Sequence, residues 1–374
     1  MSPAEVRVEP VQTAGQLRTF IDLPWLIYRG DPLWVPPLKG DVKKLLSPSH
    51  PFFEHARVDL FLAFSQGRPV GRIAAIHDQN YIDFQHEEVV FFGFYESTDD
   101  PAVARALYDR VKAWAGERGV KVIRGPMNPS TNESCGFLCQ GFDDPPSLMM
   151  PYNPPYYLDQ AEANGFKTCK ELPAFLIPVS DKLEFLAEPA ARCRKAMPGL
   201  TLRPIRARQI IEDLAKIREV YNEAWARNWG FAPTTLSEMR HQAKELKQIL
   251  VPDLVKIAEL DGQPVAIYVA LPDYNQALSH INGRLDPISI LKLLYYRRKI
   301  TRVRTLLLGV KKAFHRQGLT ALLMYDHYRS ARELGYKWVE GSWVLEDNAP
   351  MTRALTGIGG QAYKIYRIYE GEVA

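Results

Sequence analysis

Two short stretches of this chain occur twice, and that recurrence constrains its fold more than any other feature. Phe61-Leu-Ala-Phe-Ser-Gln-Gly67-Arg-Pro69-Val-Gly-Arg-Ile-Ala-Ala resembles Lys256-Ile-Ala-Glu-Leu-Asp-Gly262-Gln-Pro264-Val-Ala-Ile-Tyr-Val-Ala at an offset of 195 residues. Each is a pair of apolar runs broken at Gly-x-Pro, the pattern of a β-hairpin. Further on, Glu117-Arg-Gly119-Val-Lys-Val-Ile-Arg-Gly125 resembles Glu333-Leu-Gly335-Tyr-Lys-Trp-Val-Glu-Gly341 at an offset of 216, which also aligns Asn132 with Asn348. Each reads as a helix end, a C-cap glycine and a strand. The offsets differ by 21 residues, so the second copy carries an insertion of about that length between its hairpin and its later helix.

Periodicity and cap residues predict a similar order in both halves. The first half reads as strand 4–10, helices within 12–28, hairpin 57–77, strand 88–95, helix 101–118, strand 120–127, a long loop, helix 154–164 and strand 168–179. The second reads as strand 200–206, helices 209–228 and 234–249, hairpin 254–273, an inserted helix 286–299, strand 301–310, helix 318–334, strand 336–345, a short helix and a last strand 361–370. Strands and helices mixed in this way predict an α/β chain of two tandem mixed β-sheet domains with flanking helices. The expected domains are 1–185 and 200–374, with a helical insertion near 276–300 and a connection over 180–199.

A chain of 374 residues has the length of about two domains, and 46% hydrophobic with 24% charged residues suits packed cores rather than disorder. The N-terminus MSPAEVRVEP has no basic segment followed by an apolar run, and no apolar stretch has membrane-spanning length. Four cysteines, two of them Cys135 and Cys139, form neither a disulfide framework nor a zinc-ligand spacing, so no metal is expected. The expected location is the cytoplasm, with peripheral contact at the inner membrane surface. Charge is uneven: residues 281–312 hold nine Lys and Arg against the single Asp286, although the whole chain nets only +4. Such a cluster faces phosphate, nucleic acid or an anionic membrane. No nucleic-acid-binding signature accompanies it, so no nucleic acid is expected.

The strongest chemical signal is Leu306-Leu-Leu308-Gly309-Val310-Lys311-Lys312-Ala313-Phe314-His315-Arg316-Gln317-Gly318-Leu319-Thr320-Ala321-Leu322-Leu323. A strand runs into a glycine loop that opens a helix, and unpaired N–H groups at a helix start attract anions. Lys311, Lys312 and Arg316 add cations. These residues resemble the GNAT superfamily of acyl-CoA N-acyltransferases, whose Arg/Gln-x-x-Gly-x-Gly/Ala loop cradles the coenzyme A pyrophosphate. His315-Arg316-Gln317-Gly318-Leu319-Thr320 takes that place, with His315 where the family has Arg or Gln. The resemblance implies acyl-CoA or acetyl-CoA as co-substrate, held by Leu308, Gly309 and Val310 of the strand and by Arg316, Gln317, Gly318, Leu319, Thr320 and Ala321. In the first copy the offset puts Asp99-Asp100-Pro101-Ala102 at this place. Acids there cap a helix and repel pyrophosphate, so the first copy is expected to be degenerate.

The resemblance also implies direct attack by an amine, with a base for the ammonium proton and an acid for the thiolate. The family often has a tyrosine seven residues after the asparagine aligned with Asn348; Leu355 stands there. Glu346, Asn348 and Tyr363 are the catalytic candidates. The segment from Asn128 to Tyr157 exceeds ordinary loop length and is rich in hydroxyls, amides and carboxylates. It is the expected acceptor pocket or lid, with Asn128, Asn132, Glu133 and Tyr156 as candidate contacts.

Asp31-Pro-Leu-Trp34-Val-Pro-Pro-Leu38 and Tyr221-Asn-Glu-Ala-Trp225 extend the resemblance over the whole chain, to a group of bacterial tandem GNAT proteins. Some of that group are linked to bacterial ceramide (sphingolipid) synthesis. The implied function is acyl transfer from acyl-CoA to an amine, a lipid-like sphingoid base among the candidates. Two alternatives stand beside it: acetylation of a small polar amine or protein lysine, and a non-catalytic acyl-CoA-binding or regulatory protein.

Overall fold

The structure is a computed structural model and describes residues 5–373. Its strands are β1 (Val6–Pro10), β2 (Ala56–Ser65), β3 (Arg68–Asp78), β4 (Val90–Ser97), β5 (Val122–Gly125), β6 (Phe137–Gln140), β7 (Lys167–Pro178), β8 (Leu200–Pro204), β9 (Val255–Leu260), β10 (Gln263–Pro272), β11 (Arg302–Val310), β12 (Trp338–Gly341) and β13 (Gln361–Glu372). The chain forms two compact units. The first holds the chain through Leu172, the segment Leu278–Leu293 and the chain from Lys364 on; the second holds Pro173–Ala277 and Leu294–Tyr363.

In the first unit the sheet order is β1-β2-β3-β4-β5-β13, with β4 and β5 parallel and the other neighbours antiparallel. β6 adds to β13. The helix Pro101–Gly116 starts as its sequence dictates, with Asp100 as cap and proline in the first turn. It buries Val103, Leu107, Val111 and Trp114 against Phe61, Ile73, Val90 and Phe92 of the sheet.

In the second unit the order is β7-β12-β11-β10-β9-β8, with β11 and β12 parallel. Successive side chains of a strand point to opposite faces. Ala258, Ala266 and Val303 accordingly pack with Leu319, Leu322 and Leu323 of the helix Leu319–Glu333. Ile257 and Ile267 pack on the other face with Ile217 and Val220 of the helix Ile210–Trp225.

The two recurrent hairpins are β2–β3 and β9–β10. Their tight turns are Gln66-Gly67 and Asp261-Gly262, each residue with positive φ between 50° and 81°. The glycine satisfies the twist a two-residue hairpin requires, and the return strands start at Arg68 and Gln263, each with the proline as second residue.

Chain order does not fully describe the units. The expected division into 1–185 and 200–374 leaves each end strand in its own half. Instead β13 pairs with β5 and β6 in the first unit, and β7 from Phe175 to Pro178 pairs with β12 in the second. A repeat identifies a strand but carries no information about which sheet completes it. The expected connection over 180–199 also contains a helix, Ala187–Ala196, whose Ala190 and Cys193 join the Leu319–Leu322 core. The helix Gln79–Gln85 and strand β6 likewise lie where no element was expected.

Candidate active site

β11 and β12 pair only from Arg302 opposite Trp338 to Thr305 opposite Gly341. Beyond Thr305, β11 continues beside β10 to Val310. The chain after β12 turns the other way, where the Val344 N–H donates to the Pro173 carbonyl at 2.9 Å. A register shift on β10 between Val269 and Ala270 leaves Leu306 without an opposite residue, which bends β11 where the strands part. Among the described residues no backbone hydrogen bond crosses this wedge, so peptide groups of Leu307–Val310 line it. On the β11 face, Gly309 leaves room for Trp225: a Cβ there would lie 2.2 Å from its ring.

From Val310 the chain passes through a short loop into the helix Leu319–Glu333, with Gly318 as its cap at φ +85°. Glycine takes that left-handed conformation without strain, and Arg316 at φ +64° does not. A Cβ on Gly318 would meet Cys193 Cβ at 3.1 Å. No side chain caps this helix, and the N–H groups of Leu319, Thr320 and Ala321 make no hydrogen bond with the described residues. They sit at the positive end of the helix dipole. Arg316 and Lys312 are exposed beside them. The side chains of His315 and Gln317 instead hold the loop: His315 Nε2 meets the Val310 carbonyl at 3.0 Å and Gln317 donates to the Ala313 carbonyl at 3.2 Å. Lys311, expected as a third cation for phosphate, is bonded to Glu219 and lies 3.7 Å from Glu223, so its charge is already balanced.

The first unit repeats this wedge and closes it. β4 and β5 pair only through Val90–Ile123 and Phe91–Arg124. The Met127 N–H then donates to the Phe92 carbonyl at 2.8 Å, and the Phe94 N–H donates to Asn128 Oδ1 at 2.6 Å. A Cβ on Gly93 would fall 1.7 Å from the Met127 carbonyl oxygen. The corresponding helix start is occupied as well, since Asp100 Oδ1 accepts the Ala102 N–H at 2.9 Å.

Of the catalytic candidates, Tyr363 donates to Glu340 Oε2 at 2.6 Å. Glu340 is fully buried on β12, one residue before the last β11–β12 pair. The Arg302 guanidinium lies over the Tyr363 ring at 5.7 Å and 4.0 Å from Glu340. Arg304 Nε donates to Ser342 Oγ at 2.9 Å in the same buried row. Alternation from Val303 places Arg302, Arg304 and Glu340 on the sheet face away from the helix Leu319–Glu333. Asn348 caps the helix Ala349–Gly357 by accepting the Met351 N–H at 3.2 Å, and Glu346 is exposed. Arg302 and Arg304 stood in the sequence only as members of the 281–312 basic cluster, and Glu340 and Ser342 were not singled out. Their signal is a charged or polar residue at alternate positions of an otherwise apolar strand.

The acceptor candidates all lie in the first unit. Asn128 Oδ1 accepts the Phe94 N–H. Glu133 accepts a hydrogen bond from the Ser130 hydroxyl, and the same hydroxyl accepts the Asn132 N–H at 3.1 Å. Tyr156 donates to the Ser97 carbonyl at 2.9 Å, and burial, with Asp99 and Glu96 nearby, pushes its phenol up to about 12. The long segment is tied down along its length. Lys364, fully buried, donates to the Gly141 carbonyl at 2.9 Å and to that of Asp144. Asn153 accepts the Leu138 N–H at 2.7 Å, and Tyr152 donates to Asp31 at 2.9 Å. A second buried group, Arg72 with Glu96 and Tyr157, braces β3 and β4; burial raises the Glu96 carboxyl despite Arg72 beside it. Among the described residues no three His, Cys, Asp or Glu side chains gather to hold a metal ion.

A tandem GNAT protein from the clavulanic acid biosynthesis pathway has the same fold, superposing over 99% of both chains with a TM-score of 0.58 at 15% identity. A probable N-acyltransferase from Enterococcus faecalis covers 99% of this chain and 73% of its own, with a TM-score of 0.55 at 10% identity. No family model matches the sequence. Two relatives span almost its whole length. The bacterial ceramide synthase of Caulobacter vibrioides is 37% identical over 98% of this chain and 97% of its own. Protein YghO of Escherichia coli is 34% identical over 96% and 93%. The chain belongs to the same bacterial family as these two relatives, and its fold is that of the tandem GNAT protein.

Proposed function

We propose that this protein transfers an acyl group from acyl-CoA to the amine of a lipid-like acceptor, with the thioester held by the second unit alone. The observation that carries the reading is the wedge between β11 and β12, continued by the uncapped helix start at Gly318. The wedge offers peptide groups to an extended pantetheine arm, and the helix start offers N–H groups with Arg316 and Lys312 to the pyrophosphate. In the first unit Asn128 and Asp100 occupy the same two positions.

In this reading the acceptor nitrogen attacks the thioester carbonyl carbon, the carbon–sulfur bond breaks, and an amide and the CoA thiol leave. The nitrogen loses a proton and the thiolate gains one. Tyr363, bonded to Glu340 one residue before the last β11–β12 pair, is the proposed proton donor. Asn348, as a helix cap, positions the chain after β12. Asn128, Asn132, Glu133 and Tyr156 shape the first unit rather than touch the acceptor.

A lipid-like acceptor is supported by the Caulobacter relative, whose name makes it a ceramide synthase. Its product class implies N-acylation of a sphingoid base, and the same acceptor class is proposed here, met at the cytoplasmic membrane surface. The test pairs calorimetry with product mass spectrometry. The protein is titrated with CoA, then incubated with long-chain acyl-CoA and either a long-chain amino alcohol or a short polar amine. An amide formed on the long-chain amine supports the reading. Amide on the short amine alone transfers the case to a small-amine acetyltransferase, and CoA binding without any amide to a regulatory protein.

A further inference from the structure

The insertion in the second copy forms the helix Pro287–Tyr296, and this helix is built the wrong way round for a soluble surface. Its buried residue is Ser289. Ile288 and Leu291 are each 68% exposed, and Ile290, Leu294 and Tyr295 are exposed as well. At 100° per residue these five side chains cover one continuous face, and Ser289, Leu293 and Tyr296 lie opposite. Leu285, just before the helix, extends the apolar surface. Ordinary packing predicts the reverse, with apolar residues turned inward.

The border of this face is basic. Lys292 lies on its flank, and Arg297, Arg298 and Lys299 follow its last turn, all exposed. Lys299 rests on the Tyr295 ring at 4.3 Å. The one acid nearby, Asp286, is committed to the helix start, accepting from the Ser289 N–H and hydroxyl. Among the described residues no carboxylate pairs with Arg297, Arg298 or Lys299 at the far end of the helix.

The loop leading into the helix is fixed to the first unit. Asn282 Oδ1 accepts the Trp25 indole N–H at 2.9 Å, and the Gly283 carbonyl accepts the Lys39 N–H at 3.1 Å. Gly283 has φ +71°, and a Cβ there would lie 2.5 Å from both the Trp25 ring and the Pro37 carbonyl oxygen. Trp25 in turn meets Trp34 edge-on, and Trp34 stacks on Tyr28. The Asp31-Pro-Leu-Trp34-Val-Pro-Pro segment thus forms the seat of the insertion, a role the proposed acyl transfer does not account for.

We infer that the helix Pro287–Tyr296 is an interfacial docking element that lies in the surface of an anionic bilayer, with its basic end on the lipid headgroups. The inference deepens the proposed lipid-like acceptor by naming the surface where the protein meets it. A ten-residue helix is too short to span a bilayer, and no helix among the described residues is long and apolar enough to do so. A broad apolar face edged by Lys and Arg is the construction of a helix lying in the interface. A protein partner needs no row of cations beside its apolar contact; an anionic membrane does.

The test is flotation of the purified full chain with vesicles of phosphatidylcholine alone or with about one third phosphatidylglycerol. The expected result is binding to the anionic vesicles that weakens with salt. R297Q/R298Q/K299Q should weaken it on the order of a hundredfold, from three headgroup contacts. I288S/L291S should abolish it at every salt concentration without lowering the melting temperature, because both side chains are already in water. CoA affinity, measured in parallel by calorimetry, should be equal in all three proteins. That separates this inference from the acyltransferase reading: loss of CoA binding in the unaltered chain would sink the latter and leave the vesicle result standing. Absence of flotation by the unaltered chain at low salt overturns the docking inference. So does an I288S/L291S variant that floats like the parent, or a dimer in solution that this variant dissociates.

Discussion

The Asn128 side chain accepts the Phe94 N–H at 2.6 Å and so closes, within the first unit, the wedge that β11 and β12 leave open in the second. Removing that carbonyl leaves a half-buried peptide N–H without its partner. Asn128→Ala should cost about 1–3 kcal/mol of stability. Denaturant unfolding measures this, and CoA affinity should stay within about twofold. A large loss of CoA affinity without a loss of stability would place the thioester in the first unit.

Gly318 caps the helix that follows β11, so a substitution there tests charge and conformation together. At φ +85° any side chain is strained, so Gly318→Glu needs Gly318→Ala beside it. Alanine brings the strain and the 3.1 Å approach to Cys193 Cβ; glutamate adds a carboxylate at the helix start. Alanine should weaken CoA binding modestly, and glutamate by at least about tenfold more, since a charge at a helix end is worth up to ~2 kcal/mol. Equal affinities for the two variants, read by calorimetry, would remove the pyrophosphate from this loop.

Tyr363 and Glu340 make the most direct test of the chemistry. Tyr363→Phe deletes the hydroxyl bonded to Glu340 and keeps the ring beneath Arg302. Loss of a proton donor should lower kcat about a hundredfold with little change in KM for acyl-CoA. Glu346→Gln, an exposed position, should leave kcat close to that of the parent. If the two effects are reversed, Glu346 is the proton-transfer group and Tyr363 a packing residue.

The repeat carried most of the fold. Gly67 and Gly262 marked the hairpins because a two-residue turn needs positive φ, and Gly318 marked the start of the helix Leu319–Glu333. Such requirements are written in one or two adjacent residues. What sequence left open depends on distant partners. That β13 completes the first sheet follows from pairs such as Tyr369 with Gly125, far apart in the chain. The sequence marks Asn128 as an amide in a long loop, and only its distance to Phe94 shows that its carbonyl bridges to β4. Glu340 and Arg304 were hidden in strands that read as apolar. The inserted helix was legible as an element, but the direction of its apolar face depends on distant contacts such as that of Asn282 with Trp25.

His327 gives the protein an acid sensitivity that can be measured without any substrate. It lies on the inner side of the helix Leu319–Glu333, stacked on Tyr268 at 4.1 Å between ring centroids. It is 2% exposed, and neither ring nitrogen has a hydrogen-bond partner. Burial, with Lys256 as a second cause, lowers its pKa to about 3. In the unfolded chain the imidazole titrates near 6.5. Below that pH the unfolded state takes up a proton that the folded state refuses until about pH 3. The unfolded state is therefore favoured as pH falls, and the folded state loses about 1.4 kcal/mol per pH unit across that window. Above about pH 7 His327 contributes no slope. Replacing it with phenylalanine keeps a ring against Tyr268 and removes the titration. From pH 7 to 5 the parent should therefore lose about 2 kcal/mol more stability than His327→Phe, both followed by denaturant unfolding. Parallel curves for the two proteins would mean that the imidazole finds a proton acceptor or water in the folded state.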